Sequence, residues 1–256
     1  MRLKILGAGG AQCETASSIS ALADGRVLVD AGTGAHNLSL AEMDGVKDAL
    51  ITHSHLDHVA MLCFIAECKI GGAGGHGLRV RCFPETADAI RSGLLNGRIW
   101  PDFERIKIGG VPLLSFEYFR PFETIDCDGL RATPFPVEHA GIPTAGFVLH
   151  GARENFVFIS DVHTLSDEVY EYLHTLPNFR KMTVETSFPD GSEEVAHASG
   201  HLTPSLLEKI VARLPEGLEI YYCHVKPRYD AEVAAQIQKR FGGRVLPLRE
   251  GTTFDI

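Results

Sequence analysis

Short apolar runs, most of them closed by a glycine, proline or acidic residue, set the rhythm of this chain, and their length predicts strands more often than helices. In the first half such runs cover Leu3–Leu6, Ser17–Ala21, Arg26–Asp30, Asp48–Thr52 and Leu78–Phe83. Helices are predicted over His58–Lys69 and Glu85–Leu95, with the glycine tract Gly71–Gly77 breaking the chain between them. From Trp100 to Glu123 the pattern is irregular and interrupted by proline. Further strands are predicted at Leu130–Val137, Thr144–His150 and Asn155–Ser160. Helices and strands then alternate: helices at Ser166–Thr175, Pro204–Leu214 and Asp230–Phe241, strands at Lys181–Glu185, Leu218–Cys223 and Arg244–Pro247. Strand-rich halves with interspersed amphipathic helices predict an α/β fold with two packed sheets and helices outside, an αββα layering. The whole of 1–256 reads as one domain, with an insertion or cap around 71–125.

Composition narrows the class without naming the chemistry. A chain of 256 residues that is 45% apolar can bury a sizeable core. No apolar run approaches the roughly 20 residues of a membrane helix, and Met1–Leu6 is too short for a secretory segment. A cytoplasmic protein with no membrane partner is expected. The six cysteines, at 13, 63, 68, 82, 127 and 223, contain no Cys-x-x-Cys pair and read as small buried hydrophobes. A net charge of −9 argues against gripping a long nucleic acid, and leaves room for a small anionic substrate held by metals.

The chemistry concentrates where the run Ala49-Leu50-Ile51 ends. Thr52-His53-Ser54-His55-Leu56-Asp57-His58 packs three imidazoles and a carboxylate into six residues. On an extended segment His53 and His55 point to one side, while Asp57 and His58 turn back from a first helical turn. That arrangement suits two neighbouring cations better than one. His139, Asp161, His224 and Asp30 each close another strand-like run. Any one of these histidines taken alone is more often a surface or core residue than a ligand. Neutral imidazoles crowded against carboxylates, however, carry a desolvation cost that a bound cation repays.

The ordered set Asp30, His53-x-His55-x-Asp57-His58, His139, Asp161 and His224 resembles the metallo-β-lactamase superfamily of binuclear metallohydrolases. The resemblance implies that family's sandwich of two mixed β-sheets flanked by helices. It implies one metal held by His53, His55 and His139, a second held by Asp57, His58 and His224, and Asp161 bridging the two. Ligands of nitrogen and oxygen without thiolate favour zinc, with manganese or iron also compatible.

Three elements narrow the reaction. His53-Ser54-His55-Leu56-Asp57-His58, Gly200-His201-Leu202-Thr203-Pro204 and His224-Val225-Lys226-Pro227 are similar, in the same order, to the pattern of class II cyclic-nucleotide phosphodiesterases. Met61 and Ala66 depart from that pattern, on the helix behind the proposed metals. The His201 element is also similar to that of the tRNA 3′-processing nucleases. Both parallels imply P–O cleavage of a phosphodiester, here a cyclic nucleotide opened to its 5′-monophosphate. Two cations would neutralise the phosphoryl oxygens and supply a nucleophile near neutral pH. His201 would act as general acid, Glu185 would tune it if the two meet, Lys226 would touch a phosphate oxygen, and Asp57 would also accept a proton.

The competing readings are weaker. A tRNA nuclease would want a basic arm, yet residues 71–120 hold seven Lys/Arg against five Asp/Glu. Thioester or lactone hydrolysis would use a similar metal pair, and a metal-dependent sensor would be expected to lack a ligand. Gly72-x-Gly74-x-x-Gly77 matches a dinucleotide fingerprint in letters but follows a helix, without the required strand. Thr203 and Pro204 also read as the cap and first residue of a helix. Cys223 should point away from His224, into the core. Phe188, Phe147 and the segment Phe116–Phe122 are candidates for stacking a base, and the irregular 100–125 region is a candidate homodimer surface.

Overall fold

The computed structural model describes residues 1–72 and 75–256. The first half runs β1 (Arg2–Gly7), β2 (Ser20–Ala23), β3 (Val27–Ala31), α1 (Leu40–Gly45), β4 (Asp48–Leu50), α2 (Leu56–Val59), α3 (Leu62–Glu67), β5 (Leu78–Cys82) and α4 (Pro84–Gly93). A hairpin of β6 (Lys107–Ile108) and β7 (Val111–Pro112) precedes β8 (Leu114–Tyr118). The second half runs β9 (Ile125–Cys127), β10 (Leu130–His139), β11 (Ile142–His150), β12 (Asn155–Phe158), α5 (Asp167–Thr175), β13 (Phe179–Glu185) and α6 (Glu193–Ser199). It ends with α7 (Pro204–Val211), β14 (Glu219–Cys223), α8 (Asp230–Phe241), β15 (Val245–Pro247) and β16 (Thr253–Asp255).

Two seven-stranded mixed sheets result, ordered β16-β1-β2-β3-β4-β5-β8 and β15-β14-β13-β12-β11-β10-β9. In each, antiparallel pairing at one end gives way to parallel pairing at the other: β3 to β8 run parallel in the first, β12 to β15 in the second. The alternation of side chains along a strand builds two apolar layers at once. Phe147, Leu149, Phe156 and Phe158 enter a core shared with the first sheet. Their neighbours Val148 and Val157 face the opposite way, into a second core with Leu207 and Ile210 of α7 and Val233 and Ile237 of α8. The αββα layering is therefore the observed one.

Several expectations change in detail. The single helix expected over His58–Lys69 is two short ones, because the Met61 backbone N–H leaves the helical ladder and donates to Ala31 O at 2.8 Å. The break falls at Ala60 and Met61, just past the turn that carries Asp57 and His58. The irregular stretch after Trp100 contains β8, an edge strand of the first sheet. Region 71–125, read above as an insertion or cap, thus contributes β5 and β8 to that sheet, besides the separate β6–β7 hairpin. Gly74 of the glycine fingerprint lies outside the described residues. Phe103 and Phe119 turn inward and are buried, so they are not available to a dimer surface. Thr203 caps α7 as expected, its side chain accepting from Leu206 N, with Pro204 in the first turn. No described helix is long and apolar enough to cross a membrane.

Candidate active site

Strand ends from both sheets converge on one cluster. His53 and His55 follow β4, His139 closes β10, Asp161 follows β12, Glu185 closes β13 and His224 follows β14. Asp57 and His58 lie in α2, the turn that continues from β4. The seven expected metal ligands, with Glu185 and His201, are brought together in this neighbourhood.

The Asp161 carboxylate stands at the centre, buried. Its Oδ2 lies 3.4 Å from His139 Nε2 and 3.7 Å from His53 Nε2. Its Oδ1 lies 3.2 Å from His58 Nε2 and 3.3 Å from His224 Nε2. His55 Nδ1 faces His139 Nε2 at 3.3 Å, and His224 Nε2 lies 3.4 Å from Asp57 Oδ2. Two groups of ligand atoms thus lie close enough to share an ion: His53, His55, His139 with Asp161, and Asp57, His58 with His224.

The surrounding hydrogen bonds set which nitrogen each imidazole presents. His58 Nδ1–H donates to the buried Asp30 carboxylate at 2.8 Å, and His139 Nδ1–H donates to Gly200 O at 2.8 Å. Thr52 gives its backbone N–H and its hydroxyl proton to Asp30, so its Oγ1 accepts from His53 Nδ1–H at 2.9 Å. Ser187 Oγ donates to Glu185 Oε2 at 2.6 Å and accepts from His224 Nδ1–H at 2.9 Å. In each of these four rings Nδ1–H is engaged, so Nε2 is the atom that faces inward. Asp30 therefore orients the cluster from behind it. Thr52 and Ser187 were given no role from sequence, although each is a hydroxyl residue close to a predicted ligand.

Among the described residues, the buried atoms His53 Nε2, His58 Nε2 and Asp161 Oδ1 have no hydrogen-bond partner. Unpaired buried polar atoms are costly, and here they point at one another. Divalent cations seated in the two groups would satisfy them, so the donor set fits a metal site. Burial and the neighbouring His58 hold His53 well below its ordinary value, in the neutral form a metal requires. Burial would raise Asp161, but the His224 and His58 rings outweigh it and keep the carboxylate ionised. Asp57 is likewise held below its usual range: the His224 hydrogen bond and the His58 charge overcome burial. Asp30 and His224 both adopt left-handed backbone, at φ 55° and 60°. For non-glycine residues this is strain, and here it falls on one member of the cluster, His224, and on the residue that supports the cluster from behind, Asp30.

Beside the cluster, His201 Nδ1 lies 2.7 Å from Glu185 Oε1 and 4.0 Å from Asp161 Oδ2. Glu185 also accepts from the Val162 backbone N–H at 2.9 Å. Burial, assisted by the Asp161 charge, pushes the Glu185 carboxyl up to about 7. Burial draws His201 down to about 4. Gly200 makes this loop feasible. It closes α6 at φ +71°, and a β-carbon there would sit 2.4 Å from Ala140 N. Lys226 is placed differently from a free phosphate contact: its Nζ donates to Gly10 O at 2.8 Å, pinning the N-terminal loop. Cys223 is buried in the core, as expected from strand alternation. Phe147 is fully buried and cannot stack a substrate. Phe116 is partly buried against the core and carries the Arg91 guanidinium 4.4 Å over its ring.

This fold and this site together define a metallo-β-lactamase-type hydrolase, and the chain belongs to that superfamily: residues 25–224 match the β-lactamase superfamily domain. A probable 3′,5′-cyclic-nucleotide phosphodiesterase of Yersinia pestis is 24% identical over 208 residues, which span 72% of this chain and 58% of that protein. Unliganded yeast PDE1 superposes with a TM-score of 0.81 at 18% identity, covering 100% of this chain and 99% of that one. The short form of human tRNase Z superposes with a TM-score of 0.71 at 15% identity, with 100% and 99% covered. At these identities the two structures share the fold.

Proposed function

We propose that the chain is a dinuclear metal-dependent phosphodiesterase that opens 3′,5′-cyclic nucleotides to 5′-monophosphates. The observation that carries this reading is the buried Asp161 carboxylate, with one oxygen toward His53 and His139 and the other toward His58 and His224. In this reading His53, His55 and His139 would hold one cation and Asp57, His58 and His224 the other, with one Asp161 oxygen facing each group. Zinc suits the nitrogen-rich donor set, and manganese or iron would also be accepted. When bound, such a pair neutralises phosphoryl oxygens and lowers the pKa of a water to make a nucleophile.

The protein's own groups supply the rest. Asp57, the most exposed carboxylate of the cluster, accepts the proton of the attacking water. The leaving alkoxide needs a proton, and His201 is the titratable group beside the cluster that lies outside the two ligand sets. An anionic phosphoryl group beside His201 opposes the effect of burial and favours the protonated ring. Glu185 anchors Nδ1, so Nε2–H is the atom aimed at the leaving oxygen. Lys226 keeps two N–H bonds beyond the one given to Gly10 O, available to a phosphate oxygen. The Yersinia pestis relative and the yeast PDE1 fold support the same reading.

Protein loaded with zinc or manganese should hydrolyse cyclic AMP, cyclic GMP and bis(4-nitrophenyl) phosphate. His201→Ala should lower kcat for the cyclic nucleotides by about 10²–10⁴-fold, and far less for the nitrophenyl diester, whose leaving group needs no proton. No turnover of any phosphodiester, or an equal loss on both substrate types, would remove the reading.

A further inference from the structure

Phe188 is a half-buried aromatic residue, yet among the described residues it packs into neither apolar core. Its ring lies 6.0 Å from that of His201 and 6.1 Å from that of Tyr229. Phe188 lies three residues beyond Glu185 at the end of β13, and Tyr229 lies in the turn that leads into α8, where it packs against the second core. Phe188 is therefore carried by a strand end that also carries a site residue, and Tyr229 by the turn between His224 and α8. Their backbones are pinned: Phe188 N–H donates to Leu202 O at 3.1 Å, Lys226 N–H to Ser187 O at 3.1 Å and Tyr229 N–H to Lys226 O at 2.8 Å.

An aromatic ring that joins neither core gains little from folding and is held in place all the same. Its neighbour His201 stands next to the cluster, 4.0 Å from Asp161 Oδ2. Phe188 is thus an aromatic ring within 6.0 Å of the imidazole that stands beside the cluster. We propose that Phe188 and Tyr229 form a stacking wall for the nucleobase of the substrate. Naming a nucleotide rests on the phosphodiesterase reading above. An aromatic wall recognises the π-face that every base has, and loss of one such stack typically costs about 5- to 150-fold in affinity. The wall would thus hold adenine and guanine alike.

The test uses binding, so it does not depend on turnover. Metal-loaded protein is titrated calorimetrically with 5′-AMP and with ribose 5-phosphate, which lacks the base. Wild type should prefer 5′-AMP by about 10-fold or more. Phe188→Ala should bring that ratio to near one without weakening ribose 5-phosphate, and Phe188→Trp should restore it. If Phe188→Ala keeps the preference, or weakens both ligands equally, the wall is wrong. If the preference is present and sensitive to Phe188 while cyclic AMP is not hydrolysed, the wall stands and the assigned reaction falls.

Discussion

A single hydroxyl shows how finely the cluster is set. Thr52 Oγ1 bonds both the Asp30 carboxylate and His53 Nδ1, so it holds one inward-facing imidazole and its support together. Thr52→Val keeps the shape and removes both bonds. Outer partners of metal-ligating histidines typically contribute about 10–100-fold in metal affinity. A zinc competition titration of Thr52→Val should therefore show a loss of that size, and an affinity equal to wild type would contradict the role given to Thr52. At this scale the sequence was informative where residues cluster. The knot His53–His58 is contiguous, and the strand-end positions of His139, Asp161 and His224 follow from apolar runs. Ser187 and Thr52 were not legible as supports, because a hydroxyl beside a ligand has no pattern until the ring nitrogen it meets is known. Lys226 reads as free in sequence for the same reason: Gly10, whose carbonyl it bonds, is 216 residues away along the chain.

Elements matter through their ends. α6 closes on Gly200, whose carbonyl accepts from His139 and whose left-handed backbone delivers His201 to Glu185. Gly200→Ala faces both the αL penalty of roughly 1–2 kcal/mol and a contact of 2.4 Å with Ala140 N. It should lower Tm and reduce kcat further than the Tm loss accounts for, since His201 moves with the loop. A variant with wild-type Tm and rate would refute this account of the loop. Helices with an apolar stripe were readable in sequence, as α5, α7 and α8 show. α6 was missed because Ala196 is its one buried residue, leaving no periodicity to read. α1 was also missed, although Ser39 and Glu42 form a capping box that the sequence does display. β8 escaped because an edge strand preceded by proline alternates weakly between buried and exposed.

At the scale of the molecule, the fold places candidate ligands from both sheets around one carboxylate and buries most of them. Stability and metal occupancy must then be linked, since an ion that binds only the folded chain stabilises it. Acid sensitivity has a separate source in the second sheet. His150 is partly buried, with Nδ1–H donating to Asn155 Oδ1 at 3.0 Å and Nε2 accepting from Thr133 Oγ1 at 2.7 Å. Burial lowers its pKa from the ordinary 6.5. The unfolded chain therefore takes up this proton first, and the contribution to stability is lost as pH falls below 6.5. His150→Gln should show a smaller drop in urea midpoint between about pH 7.5 and about pH 5 than wild type does. An identical drop would exclude His150 as the source. The central claim is that scattered histidines and aspartates assemble a two-cation phosphodiesterase site, and one titration addresses it directly. Metal-free protein is supplied with zinc in steps while cyclic AMP turnover is recorded; activity should rise and level off at about two equivalents per chain. A plateau at one equivalent, or no turnover at any occupancy, would contradict the account.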